Sequence, residues 1–244
     1  ISLTMPIAII PARKNSKRIK NKNIKLVYNK PLIYIVIKLL QKSKLFEKII
    51  VSTDSEKIKE ISINAGAEVP FIRPKKLSND FIGTTKVVQH AVKKLKSLNI
   101  NDKYICCVYP TAILLHIKDL KKGYELIKKN KYNYVFAANK HKKSILRSFS
   151  LKGNFVDPIL YKNYFKRTQD LKDTYYDIGQ FYWGKSNSWT NNKKVIYNKS
   201  TIVEIPEQRS VDIDNYADFK KAKVYFQKYK DKKLTKYNIK IDIN

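Results

Sequence analysis

The feature that most limits how this chain can fold is an alternation. Short, almost continuous apolar runs are separated by segments whose apolar residues recur at helical spacing. The runs are Ile7 to Ile10, KIIVST from Lys48 to Thr53, YICCVY from Tyr104 to Tyr109 and YVFAA from Tyr134 to Ala138. Between them, Pro31 opens an apolar helix, as a first-turn proline does. Further helical patterns run from Ser55 to Ala65, stopped by Gly66, from about Thr85 to Leu98 and from Ile117 to Asn130. Strands apolar on both faces must be covered on both. The alternation therefore predicts an α/β fold, a mostly parallel twisted sheet with helices on both faces.

In such sheets ligands bind at the carboxyl ends of strands. That directs attention to the loops after Ile10, Ser52, Phe71 and Tyr109. From Lys140 to Tyr176 the rhythm breaks into a polar and aromatic stretch with no period, too long for an ordinary connection. It reads as an arm inserted in one domain formed by residues 6–139 and 177–228. The strand GQFYWG returns to the core, TIVEIP and SVDIDN follow, and a final helix is expected from about Tyr216 to Gln227. Residues 229–244 read as a basic peripheral tail, and Met5 as the native start.

The net charge of +31 raises the question of a polyanion partner. The lysines are spread along the whole chain, and asparagine, isoleucine and tyrosine are high with them. That pattern fits biased composition on solvated positions, so no specific nucleic-acid partner is expected. Cys106 and Cys107 are adjacent, and neighbours on a strand face opposite ways, so they read as buried small residues in a reducing cytosol. No apolar run approaches the roughly 18 residues that span a bilayer. The expected location is cytoplasmic, with no membrane contact. His90 and His116 have no partner at ligand spacing and read as structural.

Between Arg13 and Lys25 lie seven basic residues, Arg13, Lys14, Lys17, Arg18, Lys20, Lys22 and Lys25, and no acid. Such density needs an anion, or it repels itself. A strand-end loop with backbone N–H groups, Ser16 and several cations suits a triphosphate. The glycine pattern of a Walker loop is absent, and by composition alone a plain solvated loop explains the segment as well.

The order of motifs is more specific. IIPARKNSKRIKNKN resembles the signature of the cytidylyltransferases that make CMP-activated nine-carbon and eight-carbon acidic sugars. IIVSTDSEKIKEISINAGAEVPFIRPKKLSND resembles the family's second and third strand-end loops, YPTA the fourth, and SVDIDN its metal-binding segment near the C-terminus. The resemblance covers about residues 6 to 228. It implies a Rossmann-like sheet of the nucleotide-diphospho-sugar transferase type, CTP as substrate, Mg²⁺ as cofactor, and a homodimer formed through the arm. GAEVPFIRP, SNDFIGTT and DIGQFYWG put pseudaminic acid first as the sugar, sialic or legionaminic acid next, and Kdo last.

By that resemblance Arg13, Ser16, Lys17, Lys22 and Asn23 belong to the nucleotide loop. Arg13 and Lys17 would polarise the triphosphate, and Lys22 would hold the leaving pyrophosphate. Ala12 and Arg73 match positions around the cytosine. Lys14, Arg18, Lys20 and Lys25 are expected to be bystanders. Thr84, Thr85, Tyr109, Gln180 and Tyr182 match sugar-pocket positions, although Tyr109 stands where sialic acid enzymes carry glutamine. Asp212 and Asp214 are the metal candidates, with Asp214 also counted as catalytic. Two residues apart on an extended segment, their carboxylates project to one side and suit Mg²⁺. On D-I-D-N alone the competing reading is a helix cap, with Asp214 or Asn215 as N-cap.

Overall fold

The computed structural model describes residues 5–237, with side chains described through 229. Residues 1–4 and 238–244, the latter the end of the expected basic tail, lie outside the described residues.

The strand β1 (Ile7–Pro11) enters the core, and a 3-10 turn at Lys22–Ile24 closes the basic loop that follows it. A two-stranded ribbon, β2 (Leu26–Val27) and β3 (Lys30–Pro31), leads into α1 (Leu32–Ser43). Then come β4 (Lys48–Ser52), α2 (Glu56–Asn64), α3 (Thr84–Ser97), β5 (Tyr104–Val108), α4 (Ile117–Lys128) and β6 (Tyr134–Lys140). The hairpin β7 (Phe149–Lys152) and β8 (Phe155–Pro158) lies in the expected arm. The chain returns through β9 (Tyr175–Lys185), α5 (Ser186–Thr190), β10 (Ser200–Glu204) and α6 (Tyr216–Tyr237).

The main sheet has six strands in the order β10-β6-β9-β5-β1-β4. β1 pairs in parallel with β4 and β5, and β6 with β10. β9 runs antiparallel between β5 and β6. Alternate residues divide the core. Ala8, Ile10 and Cys106 face one helical layer with Leu32 and Val36 of α1, Leu120 of α4 and Phe219 of α6. Ile7, Ile9 and Cys107 face the other, with Val88, Val92 and Leu95 of α3 and Trp189 of α5. Each fully buried aliphatic side chain contributes about 1.5–3 kcal/mol, so both layers are needed to hold the sheet.

Two elements differ from the sequence expectation. The segment AEVPF, with a strand end expected at Phe71, forms no strand; residues 68 and 72 make isolated parallel bridges, Ile50 to Glu68 and Thr53 to Ile72. The last helix continues through Tyr237, ten residues past its expected end at Gln227. Its extension is lysine-rich and has few apolar residues, which is why periodicity gives no sign of it.

Candidate active site

The loop after β1 is drawn back over the strand ends. Ala12 is fully buried and its N–H donates to the Ser52 carbonyl at 2.9 Å. The Lys14 N–H donates to Asp54 Oδ1 at 2.7 Å, and the Asn23 amide to the Arg13 carbonyl at 2.9 Å. These bonds fix the loop so that Arg13, Ser16, Lys17, Lys22 and Asn23 line one cavity of about 460 Å³. Arg73, Thr84 and Tyr109 close its other side. Eight residues predicted from separate segments thus share one cavity.

Arg73 is 3% exposed. Its Nε donates to Ser78 Oγ at 3.1 Å, Asp54 lies 3.8 Å from one terminal nitrogen, and that nitrogen has no hydrogen-bond partner. Burial lowers its pKa, against the opposing pull of Asp54. A buried guanidinium with an unused donor, on a residue that lines the cavity, is suited to an acceptor on a bound ligand.

The cations have acquired internal anions. Asp80 spans Arg13 (2.7 Å) and Lys17 (2.9 Å) with its two oxygens. The hydrogen bond from Lys17 is the largest cause of its lowered pKa, with Arg13 adding to it. Asp214 pairs with Arg18 at 2.7 Å and more loosely with Lys22 at 3.7 Å. Arg18 therefore is no bystander by position: it lines the cavity and reaches the acidic segment. Lys22 also donates to the Ile213 carbonyl at 2.6 Å, tying the basic loop to SVDIDN.

Asp212 and Asp214 do not line the cavity; Asp214 is joined to it through Arg18 and Lys22, while Ile213 between them is buried in the core. Burial, then Asp214 and to a lesser degree Asp177, push the Asp212 carboxyl up to about 6, and Lys22 and Arg18 oppose them. The helix cap is made by other residues. Asn215 Oδ1 accepts from the Asp218 N–H, and Asp218 Oδ2 accepts from the N–H groups of Asp214 and Asn215, all at 3.0 Å. This reciprocal capping leaves both candidate carboxylates free of the cap. The two readings of D-I-D-N are compatible. Among the described residues no group of three or more His, Cys, Asp or Glu could hold a metal. Two carboxylates carrying excess negative charge fit Mg²⁺, which keeps several waters and takes phosphate oxygens.

The sugar-side residues are less uniform. Thr84 and Tyr109 hydroxyls hydrogen-bond at 2.8 Å. Tyr182 packs on Tyr109 with ring centroids 5.4 Å apart and donates to both oxygens of Asp177 at 2.8 Å. Gln180 is 1% exposed; its amide donates to the Arg209 carbonyl and its Oε1 is unpartnered. Thr85 is half-buried on the first turn of α3 and, like Gln180 and Tyr182, does not line the cavity. Of the two histidines, His90 lies edge-on to Phe71 and His116 caps α4, accepting from the Lys118 N–H at 3.2 Å. Asp80 and Asp177 escaped the sequence reading. The demand of the basic loop for an anion pointed toward Asp80, and Asp177 opens the DIGQFYWG motif itself.

Residues 7–243 match the model of a cytidylyltransferase family. The chain belongs to the cytidylyltransferase family. It is a nucleotidyltransferase by that membership, as the resemblance in sequence implied. A pseudaminic acid cytidylyltransferase of Campylobacter jejuni is 38% identical over 222 residues, covering 91% of this chain and 96% of the relative. A CMP-N,N'-diacetyllegionaminic acid synthase of Legionella pneumophila is 29% identical, covering 87% and 92%. Among solved structures, CMP:2-keto-3-deoxy-manno-octonic acid synthetase complexed with CTP superposes with a TM-score of 0.67 at 13% identity, covering 93% of this chain and all of that one. That likeness supports the fold of this cytidylyltransferase. Among the described residues, no helix is long and apolar enough to cross a membrane.

Proposed function

We propose that this cytidylyltransferase transfers CMP from CTP to the anomeric hydroxyl of a nine-carbon acidic sugar, pseudaminic acid, and releases pyrophosphate. The observation that carries the reading is the convergence of Arg13, Ser16, Lys17, Lys22 and Arg73 on one cavity, in a chain 38% identical over nearly its whole length to an enzyme of that name. Sialic or legionaminic acid and then Kdo are the other sugars to be tried.

The sugar oxygen forms a bond to the α-phosphorus of CTP, the bond from that phosphorus to the bridging oxygen breaks, and the hydroxyl proton is lost. Little covalent work falls to the protein; positioning and charge neutralisation dominate. Arg13 and Lys17 take the phosphate oxygens in place of Asp80, and Lys22 holds the departing pyrophosphate. The loop N–H groups and Ser16 add donors to the triphosphate, and Asn23 keeps the loop in place through Arg13. Ala12 contributes backbone groups and Arg73 its unused nitrogen to the cytosine. Asp212 and Asp214 would hold Mg²⁺, which when bound neutralises phosphate charge and makes a nearby hydroxyl more acidic. Thr84, Thr85, Tyr109, Gln180 and Tyr182 form the sugar side. The arm joins two copies as a homodimer, and the buried free thiols Cys106 and Cys107 suit a reducing cytosol.

Pyrophosphate release measured with CTP, UTP, GTP and ATP against pseudaminic, legionaminic and N-acetylneuraminic acids and Kdo tests this reading. It should require CTP, Mg²⁺ and pseudaminic acid. Release with another nucleotide, or none with any sugar, refutes it. Asp214→Asn should bind CTP but lose at least about 100-fold in turnover; wild-type turnover would remove Asp214 from the machinery.

A further inference from the structure

A second cavity, of about 430 Å³, opens at the other end of the sheet. Asn133, Lys193, Lys194, Tyr197 and Lys199 line it, and it shares no residue with the cavity of the basic loop. Asn133 immediately precedes β6, and Ser200, also in its wall, begins β10. β9 is antiparallel to both β5 and β6, so β6 and β10 run the same way as β5, whose far end leads to Tyr109 in the first cavity. The five residues of β5 span about 17 Å. The two cavities therefore lie at opposite ends of the strands.

The lysine-bearing loop is held in shape by its backbone. Asn192, at φ +52°, turns the chain out of α5, a conformation that asparagine accepts. The Lys193 N–H donates to the Ser188 carbonyl at 3.1 Å, and the Tyr134 hydroxyl to the Lys193 carbonyl at 3.0 Å. Ser200 Oγ donates to the Val195 carbonyl, the Ser200 N–H to the Tyr197 carbonyl at 3.0 Å, and the Asn133 N–H to the Lys199 carbonyl at 2.7 Å. Lys193, Lys194 and Lys199 are thus carried on a fixed frame around one concavity. Among the described residues, none of the three makes an ion pair. Beside them, burial and then the charges of Lys103, Lys193 and Lys199 lower the pKa of Lys185.

This differs from the basic loop, where Asp80 and Asp214 already answer the cations. Here like charges converge without a carboxylate, and a concave wall concentrates their field. Ammonium groups serve phosphate as point charges, and Asn133 and Asn198 add amide donors. The volume falls in the range of small-molecule sites, about 300–1,000 Å³. We propose that this cavity is a second anion site, which takes a small molecule carrying two or more linked phosphates. Free oligophosphate and the phosphate chain of a nucleotide share that chemistry, and Tyr197 in the wall separates the two sources. The site stands whichever sugar the enzyme uses.

Titration calorimetry with inorganic pyrophosphate tests it. The wild-type protein should bind two per chain. Arg13→Gln with Lys17→Gln should lose the site at the basic loop and keep the second. Lys193→Gln with Lys199→Gln should do the reverse, weakening the second site at least about 10-fold, the loss of two charge-assisted contacts. Lys193→Arg with Lys199→Arg should retain it, which separates charge from loop folding. Lys42→Gln with Lys57→Gln, exposed lysines elsewhere, should change nothing. A single site in the wild type, or an equal loss in the Lys42 and Lys57 control, would overturn the proposal. With CTP as the probe in the Arg13 and Lys17 variant, Tyr197→Ala should weaken CTP but not pyrophosphate if the ligand is a nucleotide, and neither if it is free oligophosphate. A single-stranded oligonucleotide that binds this face more tightly than pyrophosphate would make it a nucleic-acid surface and overturn the small-molecule site.

Discussion

At the scale of single residues, the site is defined by charges that compensate one another before any nucleotide arrives. Asp80 occupies Arg13 and Lys17 with both oxygens, so a triphosphate must exchange for it. Asp80→Asn should tighten CTP binding about two- to fivefold, the range of exposed ion pairs, and weaken its salt dependence. Titration calorimetry at two ionic strengths decides; weaker binding would make Asp80 a support for the cations instead. Asp212 behaves in the opposite way. Its carboxyl is pushed up to about 6 by burial and its acidic neighbours, so the folded state holds the proton more tightly than the unfolded one. Its ionisation costs stability as pH rises from the ordinary carboxylate range through about 6, and the cost is full above that. Asp212→Asn should therefore stabilise the metal-free protein at pH 8 by on the order of 1 kcal/mol, discounted for solvent screening, with no gain near pH 4. Thermal unfolding at the two pH values, without Mg²⁺, checks the sign. The same variant should lose turnover, which separates folding from function.

At the scale of elements, β9 does the most to assemble the site. Its antiparallel insertion between β5 and β6 places the Gln180 carbonyl against the Tyr109 N–H at 2.9 Å and Tyr182 against Tyr109. The bend at Gly179 is required twice over: its φ is +59°, and a Cβ there would lie 2.8 Å from Asp212 Oδ2. Gly179→Ala should cost about 1–3 kcal/mol for the backbone conformation, and it should also displace Asp212 and depress turnover. Gly153, with φ +63° in open space on the β7–β8 turn, is the control. Gly153→Ala should carry a comparable backbone penalty and leave turnover unchanged. Equal kinetics for the two variants would dissociate Gly179 from the site. The GQFYWG strand was legible as an apolar run. Its direction was not, because side-chain alternation is the same for a parallel and an antiparallel strand.

At the scale of the whole molecule, the two halves of the chain do different work. The sheet and its two helical layers bury the alternating apolar runs, whereas the hairpin β7–β8 leaves Phe149, Leu151, Phe155 and Val156 exposed. Under the homodimer reading those side chains meet a second copy. Sedimentation should give a dimer, and Leu151→Glu with Phe155→Glu should shift it to monomer; a wild-type monomer would refute the arm's role. The sequence by itself determined the α/β class, the positions of the buried strands and the strand-end loops that carry the cations, because burial on a sheet imposes a period that local sequence must obey. It also placed Arg13, Lys17, Lys22 and Arg73 at one end of the sheet, since strand ends are fixed once the strands are. Only the tertiary structure decided the antiparallel course of β9, the pairing of Asp80 with Arg13 and Lys17, the contact of Arg18 with Asp214, and the meeting of Asp177 with Tyr182 beside Tyr109. Those partnerships join residues on separate loops or across a backbone bend, and an ion pair or a side-chain hydrogen bond leaves no period in the chain that forms it.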